Sequence, residues 1–264
     1  MRQDRPNSVE VASEEGAFGP LQDFFVLEPS PCPYLPDRME RKLLTEISGP
    51  QARSIYTQLS HGGFRRSHRF AYRPACATCD ACVPVRVVVE QFQPSKSLRR
   101  IARSNADLSI ASVPNRATRE QFELFNRYIR SRHGDGEMAG MMPEEYASMV
   151  ESSDVDTRLA EFRDRDGRLV GVCLLDWLSD GPSAVYSFFE PGAARRSLGT
   201  FVVLWLIDAA AAAGARHVYL GYWIEHSRKM AYKTRFQPLE GLVSGVWRPL
   251  LRPGADRPLA MPTT

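Results

Sequence analysis

The sequence has 264 residues, of which 43% are hydrophobic and 25% are charged. This is an ordinary globular composition, and it predicts one large domain or two small ones. The apolar runs are shorter than the ~20 residues that a membrane span requires, and the first 20 residues lack the apolar core of a signal peptide. We therefore expect a cytoplasmic protein with no membrane partner.

Positive charge is concentrated in two segments, although Lys and Arg outnumber Asp and Glu by only 34 to 31. Residues 61–103 contain nine basic and two acidic residues, and residues 192–235 contain seven basic and two acidic residues. The rest of the chain is therefore acidic. If the two segments meet in space, they predict a polyanionic partner such as nucleic acid.

Composition divides the chain into four parts. Residues 1–20 and 250–264 are rich in Pro, Gly and polar side chains, which predicts a disordered N-terminal tail and a flexible C-terminal tail. A polar and basic stretch favours a domain boundary near Asn105. We therefore predict an N-terminal domain with a cysteine motif at residues 21–104 and a second domain at residues 105–249.

The second domain has a regular order of predicted elements. Thr118 and Gln121 form the pattern of a capping box at the start of a helix, and Pro143 is typical of a first helical residue. The predicted strands cover residues 107–113, 157–163, 169–178, 184–189, 216–223 and 239–247. The other predicted helices cover residues 143–151, 198–213 and 227–235. The fold class is predicted to be α/β (α+β), and the order of elements resembles that of GNAT-type acyltransferases.

The segment RRSLGT leads into the long apolar helix and predicts an anion site. Free backbone N–H groups at a helix start attract anions, and Arg195 and Arg196 add charge. Arg196 and Gly199 fit the pyrophosphate loop of GNAT enzymes, but Phe201 stands where that loop has a small residue. The alternative interpretation is that the arginines only solvate the helix start.

A second cationic segment lies between residues 221 and 242. On a helix, Lys229 and Lys233 are neighbours four residues apart, and so are Arg228 and Tyr232. Two cations beside a phenol predict a site for a phosphate-bearing substrate. The alternative is a solvated basic face with Tyr232 packed in the core.

The cysteines suggest a metal site. Cys76, Cys79 and Cys82 form a C-x-x-C-x-x-C motif, and Cys32 is a distant fourth ligand candidate. This spacing is used by zinc and iron–sulfur sites. Reduced structural or reactive thiols are the alternative. Cys173 lies in a strand pattern and is predicted to be a core residue.

The loop of residues 133–142 is rich in glycine and methionine. Met138, Met141 and Met142 suit an adaptable apolar pocket. His133 is a candidate to accept a proton, although a histidine near a helix end is also typical of a cap or surface residue.

Four segments together resemble the aminoacyl-tRNA–protein transferase family, in the branch of bacterial aspartate/glutamate leucyltransferases. They are CPYL, SHGGFRRSHRFAYRPACATCDACVPVRV, RRSLGT and LGYWIEHSRKMAYKTRF, and the resemblance covers residues 22–245. It implies a GNAT-like C-terminal acyltransferase domain with a smaller cysteine-bearing N-terminal domain packed on it. It also implies transfer of leucine from leucyl-tRNA to proteins with N-terminal Asp or Glu, which marks them for degradation in the N-degron pathway.

Other functions stay open at this point. An arginyl-tRNA donor, a CoA-dependent N-acetyltransferase and a non-catalytic RNA-binding protein are the alternatives, and DNA is not an expected partner. Transfer from an activated ester requires no cofactor, because positioning is sufficient. Tyr232 and His133 are the catalytic candidates, with Tyr232 as the acid for the ribose 3′ oxygen. The residues expected to hold tRNA phosphates or the acidic acceptor are Arg65, Arg66, Arg73, Arg195, Arg196, Gly199, Arg228, Lys229 and Lys233.

Overall fold

The computed structural model describes residues 22–132, 137–225 and 227–250. The predicted tails lie outside the described residues except for Leu250, and His133 lies outside them too. The described chain forms an eight-stranded sheet, a four-stranded sheet and a two-stranded ribbon.

The helices and strands are as follows. The helices are α1 (Ala52–His61), α2 (Lys96–Ser104), α3 (Arg119–Arg132), α4 (Pro143–Glu151) and α5 (Leu198–Ala212). The strands are β1 (Phe25–Val26), β2 (Ser30–Pro31), β3 (Met39–Glu40), β4 (Lys42–Glu46), β5 (Arg65–Ser67), β6 (Phe70–Pro74), β7 (Val83–Val88), β8 (Ser109–Pro114), β9 (Thr157–Arg163), β10 (Leu169–Trp177), β11 (Pro182–Phe189), β12 (His217–Trp223), β13 (Leu239–Val243) and β14 (Val246–Pro249). Short 3₁₀ helices cover Glu137–Gly140, Pro191–Arg196 and Ala231–Arg235.

The large sheet confirms the predicted α/β class and its GNAT-like order. Strands β8 to β11 form an antiparallel meander, and α5 then carries the chain across to β12, which runs parallel to β11. Strands β11 and β12 pair at Ser183 and Tyr219 and separate beyond that point. The separation leaves a gap between two neighbouring strands of one sheet.

Strand β7 comes from the N-terminal half of the chain but lies in the large sheet, between β12 and β13. Its buried residues alternate, with Val85 and Val87 pointing into the main core, as expected for a strand with period two. The chain therefore passes from the small sheet to the large one between residues 74 and 83, well before the predicted boundary near Asn105.

The segment after residue 226 differs from the prediction. A 3₁₀ helix replaces most of the predicted α-helix, and Met230, Lys233 and Phe236 are buried at intervals of three residues. That interval is the period of a 3₁₀ helix. Lys229 is exposed while Lys233 is buried, so the prediction that they share one face is wrong.

The last predicted strand is a hairpin, β13 and β14, which turns at Ser244 and Gly245 in left-handed conformations. Among the described residues, every helix is too short or too polar to cross a bilayer. The small sheet is held to the large one by α1, whose Tyr56 packs in a core shared with Ile47, Leu178 and Tyr219.

Candidate active site

Arg65 of β5 reaches into the gap between β11 and β12. Its Nη2 donates a hydrogen bond of 3.1 Å to the carbonyl oxygen of Val185, and its Cζ lies 5.7 Å from the ring centroid of Tyr222. A Cβ at Gly221 would lie 2.4 Å from Arg65 Nε, and Gly221 has a φ of 70°. Glycine at this position therefore leaves the space that the guanidinium occupies.

Lys233 is a buried cation beside the half-buried Arg65. The residue is 6% exposed, and its Nζ donates a hydrogen bond to the carbonyl oxygen of Tyr222. Burial, together with the charge of Arg65, lowers the pKa of Lys233 well below its usual value. Among the described residues, no carboxylate lies within ion-pairing distance of either cation. An anion is the natural complement of this pair.

Tyr232 precedes Lys233 on the 3₁₀ helix and remains 37% exposed. Its ring meets Phe236 edge-on at 6.4 Å between centroids. Burial raises the pKa of Tyr232, and the nearby Arg65 charge opposes this shift. The phenol is therefore protonated at neutral pH and is able to donate a proton.

Arg66 is buried and is not available to tRNA, so the prediction for this residue is corrected. It is 4% exposed and makes a bidentate pair with Asp176, with Nε to Oδ2 at 2.7 Å and Nη2 to Oδ1 at 2.8 Å. Thr157 donates to the same carboxylate at 2.6 Å. Successive side chains of a strand point to opposite sides, which separates Arg66 from Arg65.

Asp180 holds together the end of the gap at which β11 and β12 are paired, and no motif in the sequence marks this residue as functional. Its Oδ2 accepts from His217 Nδ1 and Tyr219 Oη, each at 2.9 Å, and lies 3.2 Å from His61 Nε2. Burial raises the pKa of Asp180, but the hydrogen bonds from His217 and Tyr219 outweigh it and lower the pKa to about 2. His61 lies four residues before Arg65, so this contact helps to hold the segment that carries Arg65.

The RRSLGT loop differs from a phosphate-binding loop, because the side chain of Arg196 is already paired with a carboxylate. Arg196 makes a bidentate pair with Asp107 at 3.1 and 2.7 Å, so a phosphate would compete with that carboxylate. A Cβ at Gly199 would lie 3.0 Å from the ring of Phe189. Gly199 thus allows α5 to approach β11 closely, which is a packing role.

The remaining predicted cations are accessible. All four are exposed, and among the described residues none of them pairs with a carboxylate. Arg73 borders a cavity of the small sheet and lies 5.2 Å from the ring centroid of Phe64. The four are Arg73, Arg195, Arg228 and Lys229.

The four clustered cysteines line one cavity of about 470 Å³, which also has Tyr222 in its wall. Burial and the neighbouring thiols raise the pKa of Cys82 to about 11. Within the described ranges, no three His, Cys, Asp or Glu side chains are arranged to hold a metal ion. Cys32, Cys76, Cys79 and Cys82 are free thiols in the structure, and the zinc or iron–sulfur site stays a prediction. Cys173 is fully buried in the core, as predicted.

Comparison with solved structures gives low similarity. The structure of L-PGS from Bacillus licheniformis aligns with a TM-score of 0.44 and 13% identity, over 59% of this chain and 52% of that chain. The crystal structure of FemX aligns with a TM-score of 0.43 and 10% identity, over 72% and 65%.

Comparison with protein families and curated sequences gives high similarity. The model of the arginine-tRNA-protein transferase N terminus matches residues 30–100, and the model of its C terminus matches residues 120–243. An aspartate/glutamate leucyltransferase of Paramagnetospirillum magneticum is 54% identical over 85% of this chain and 92% of the relative. One of Granulibacter bethesdensis is 49% identical over 92% and 93%. The chain is thus an enzyme of the aminoacyl-tRNA–protein transferase family.

Proposed function

We propose that this enzyme is an aspartate/glutamate leucyltransferase of the cytoplasm. It moves leucine from leucyl-tRNA to the N-terminal Asp or Glu of acceptor proteins and so marks them for degradation in the N-degron pathway. The bacterial relatives that carry this name support the proposal, since they are about half identical over most of the chain.

The observation that carries the proposal is the pair of cations formed by half-buried Arg65 and buried Lys233. The acidic side chain of the acceptor supplies the anion that this pair lacks. The hydrogen bonds between them are charge-assisted, and such bonds are stronger than bonds between neutral groups. An acceptor with Asn or Gln leaves both cations unpaired in a desolvated site, which is costly. The pair therefore selects for a carboxylate at the acceptor N-terminus.

The reaction needs positioning more than activation, because the aminoacyl ester is already reactive. The neutral α-amine of the acceptor attacks the ester carbonyl carbon and forms the new C–N bond. The C–O bond to the ribose 3′ oxygen then breaks, the attacking nitrogen loses a proton, and the ribose oxygen gains one. Tyr232 donates the proton to the ribose oxygen, and its phenolate then takes up the proton that the nitrogen releases, which restores the phenol. No cofactor takes part in this sequence.

The phosphates of the bound donor tRNA lie at the outer side of the gap. Arg73, Arg195, Arg228 and Lys229 are exposed cations suited to contact them. Such contacts are electrostatic and weaken steeply as salt concentration rises.

A transfer assay tests the proposal. Leucyl-tRNA or arginyl-tRNA, each labelled on its amino acid, is mixed with the enzyme and with peptides that differ only in an N-terminal Asp, Glu, Asn or Gln. We expect label from leucyl-tRNA in the Asp and Glu peptides alone. Label from arginyl-tRNA would assign the other donor, and absence of transfer from both donors would overturn the proposal.

A further inference from the structure

Helix α2 presents a row of unpaired cations. Its Leu98 and Ile101 are buried in the main core, which also contains α5. The opposite face has no acidic residue, and no carboxylate in the described part of the chain pairs with its cations. The exposed cations are Lys96, Arg99, Arg100 and Arg103.

The two ends of α2 touch two parts of the candidate active site. Near its start, Ser97 Oγ accepts a hydrogen bond of 3.4 Å from Arg235 Nη2, at the end of the 3₁₀ helix that carries Tyr232. At its end, Asn105 Nδ2 donates to the carbonyl oxygen of Arg196 at 2.8 Å. Helix α2, which belongs to the first basic segment, therefore contacts the second basic segment near both of its ends.

We infer that the exposed face of α2 is the docking surface for the phosphodiester backbone of the donor tRNA. The inference rests on the proposed function. A basic amphipathic helix is also typical of a membrane surface, but that role requires a free apolar face. Here Leu98 and Ile101 are enclosed by the protein, so the free face offers charge alone, and a polyphosphate matches it.

The test replaces three arginines together, in the variant Arg99→Gln/Arg100→Gln/Arg103→Gln. The matched control, Arg53→Gln/Arg119→Gln/Arg130→Gln, removes the same charge from exposed positions of α1 and α3. Affinity for leucyl-tRNA is measured from about 50 to 200 mM salt. We expect the slope of log affinity against log salt to fall by about 1 for each arginine that contacts a phosphate, with no change in the control.

A small donor separates this inference from the proposed function. The leucyl ester of a short oligonucleotide ending in CCA lacks the tRNA body, so the α2 variant should use it at the wild-type rate. Wild-type binding and salt slope in that variant would overturn the inference. Weaker binding to anionic phospholipid vesicles, with tRNA binding intact, would assign the face to a membrane instead. Failure of the proposed function is a separate result, because the wild type would then transfer from neither donor.

Discussion

Arg65 Nη2 donates a hydrogen bond to the carbonyl oxygen of Val185 at 3.1 Å, and 120 positions separate the two residues in the chain. The bond occupies the gap where β11 and β12 diverge. The small sheet therefore supplies one cation of a site whose walls belong to the large sheet. The family model of the N terminus covers Arg65 but not Val185, and the model of the C terminus covers Val185 but not Arg65.

Lys233→Met should lower the activity of the enzyme and raise its stability. The variant loses a cation that the acidic acceptor requires, so we expect kcat/KM for an Asp peptide to fall by roughly 100-fold, or about 3 kcal/mol. The variant should also unfold at higher denaturant concentration, since the wild type buries a lysine whose charged form is disfavoured. Lys229→Met is the control, and it should retain the preference for Asp over Asn. Equal loss for Asp and Asn peptides in Lys233→Met would contradict a role in acceptor selection.

Acceptor affinity should decrease as the pH rises. The pKa of Lys233 is lowered, so this lysine loses its proton at a lower pH than an exposed lysine and then no longer attracts a carboxylate. KM for an Asp peptide should therefore increase through that range. Lys233→Arg keeps its charge, and its KM should be flat there. A parallel increase in both proteins would assign the titration to another group.

Tyr232→Phe tests the proton donor. The phenol has a raised pKa, and general acid catalysis contributes typically ~10²-fold or more. Single-turnover transfer at saturating substrates should slow by roughly that factor, while the affinity for leucyl-tRNA stays unchanged. An unaltered rate would remove Tyr232 from the chemistry.

Asp176→Asn should destabilise the protein through the buried pair with Arg66. Removing one partner of a buried ion pair leaves the other charge uncompensated and costs about 3–5 kcal/mol. Denaturant unfolding measures the loss. The double variant Arg66→Met/Asp176→Leu should recover a large part of it, because neither charge then remains buried. Glu123→Gln, which breaks the exposed pair with Arg119, should change stability by about 0.5 kcal/mol or less.

Gly181→Ala should prevent or severely weaken folding. A Cβ at Gly181 would lie 1.8 Å from the carbonyl oxygen of His217, so β12 or the turn carrying Asp180 must move. We expect a cost above about 4 kcal/mol, visible as a lower midpoint of thermal unfolding. Gly140→Ala, where an added Cβ meets nothing within 4 Å, should stay within about 0.5 kcal/mol of the wild type.

Local signals in the sequence predict where the helices that pack on the large sheet begin. The capping box is present, with Thr118 N donating to Gln121 Oε1 at 3.0 Å and Gln121 N donating to Thr118 Oγ1 at 3.2 Å. Pro143 begins α4, and α5 begins at Leu198 as predicted. Each of these features depends on residues close together in the chain.

The arrangement of side chains in the candidate site has no local signal in the sequence. Arg65 and Arg66 are adjacent letters, yet one faces the gap and the other is paired with Asp176 in the core. Lys233 turns inward because its segment is a 3₁₀ helix, whereas an α-helix would place it beside Lys229. The role of Asp180 arises from partners on α1 and β12 that are distant in the chain.

The position of β7 also determines how the protein must be made. Arg86 of β7 lies 133 positions before Tyr219, its partner on β12, and β13 is made later still. At a synthesis rate of roughly 10 residues per second, Val85 and Val87 wait on the order of 10 s for both neighbouring strands. A nascent strand with two open edges is prone to aggregation. Until residue 243 has been translated, β7 therefore lacks at least one of the two strands that cover its edges in the folded protein.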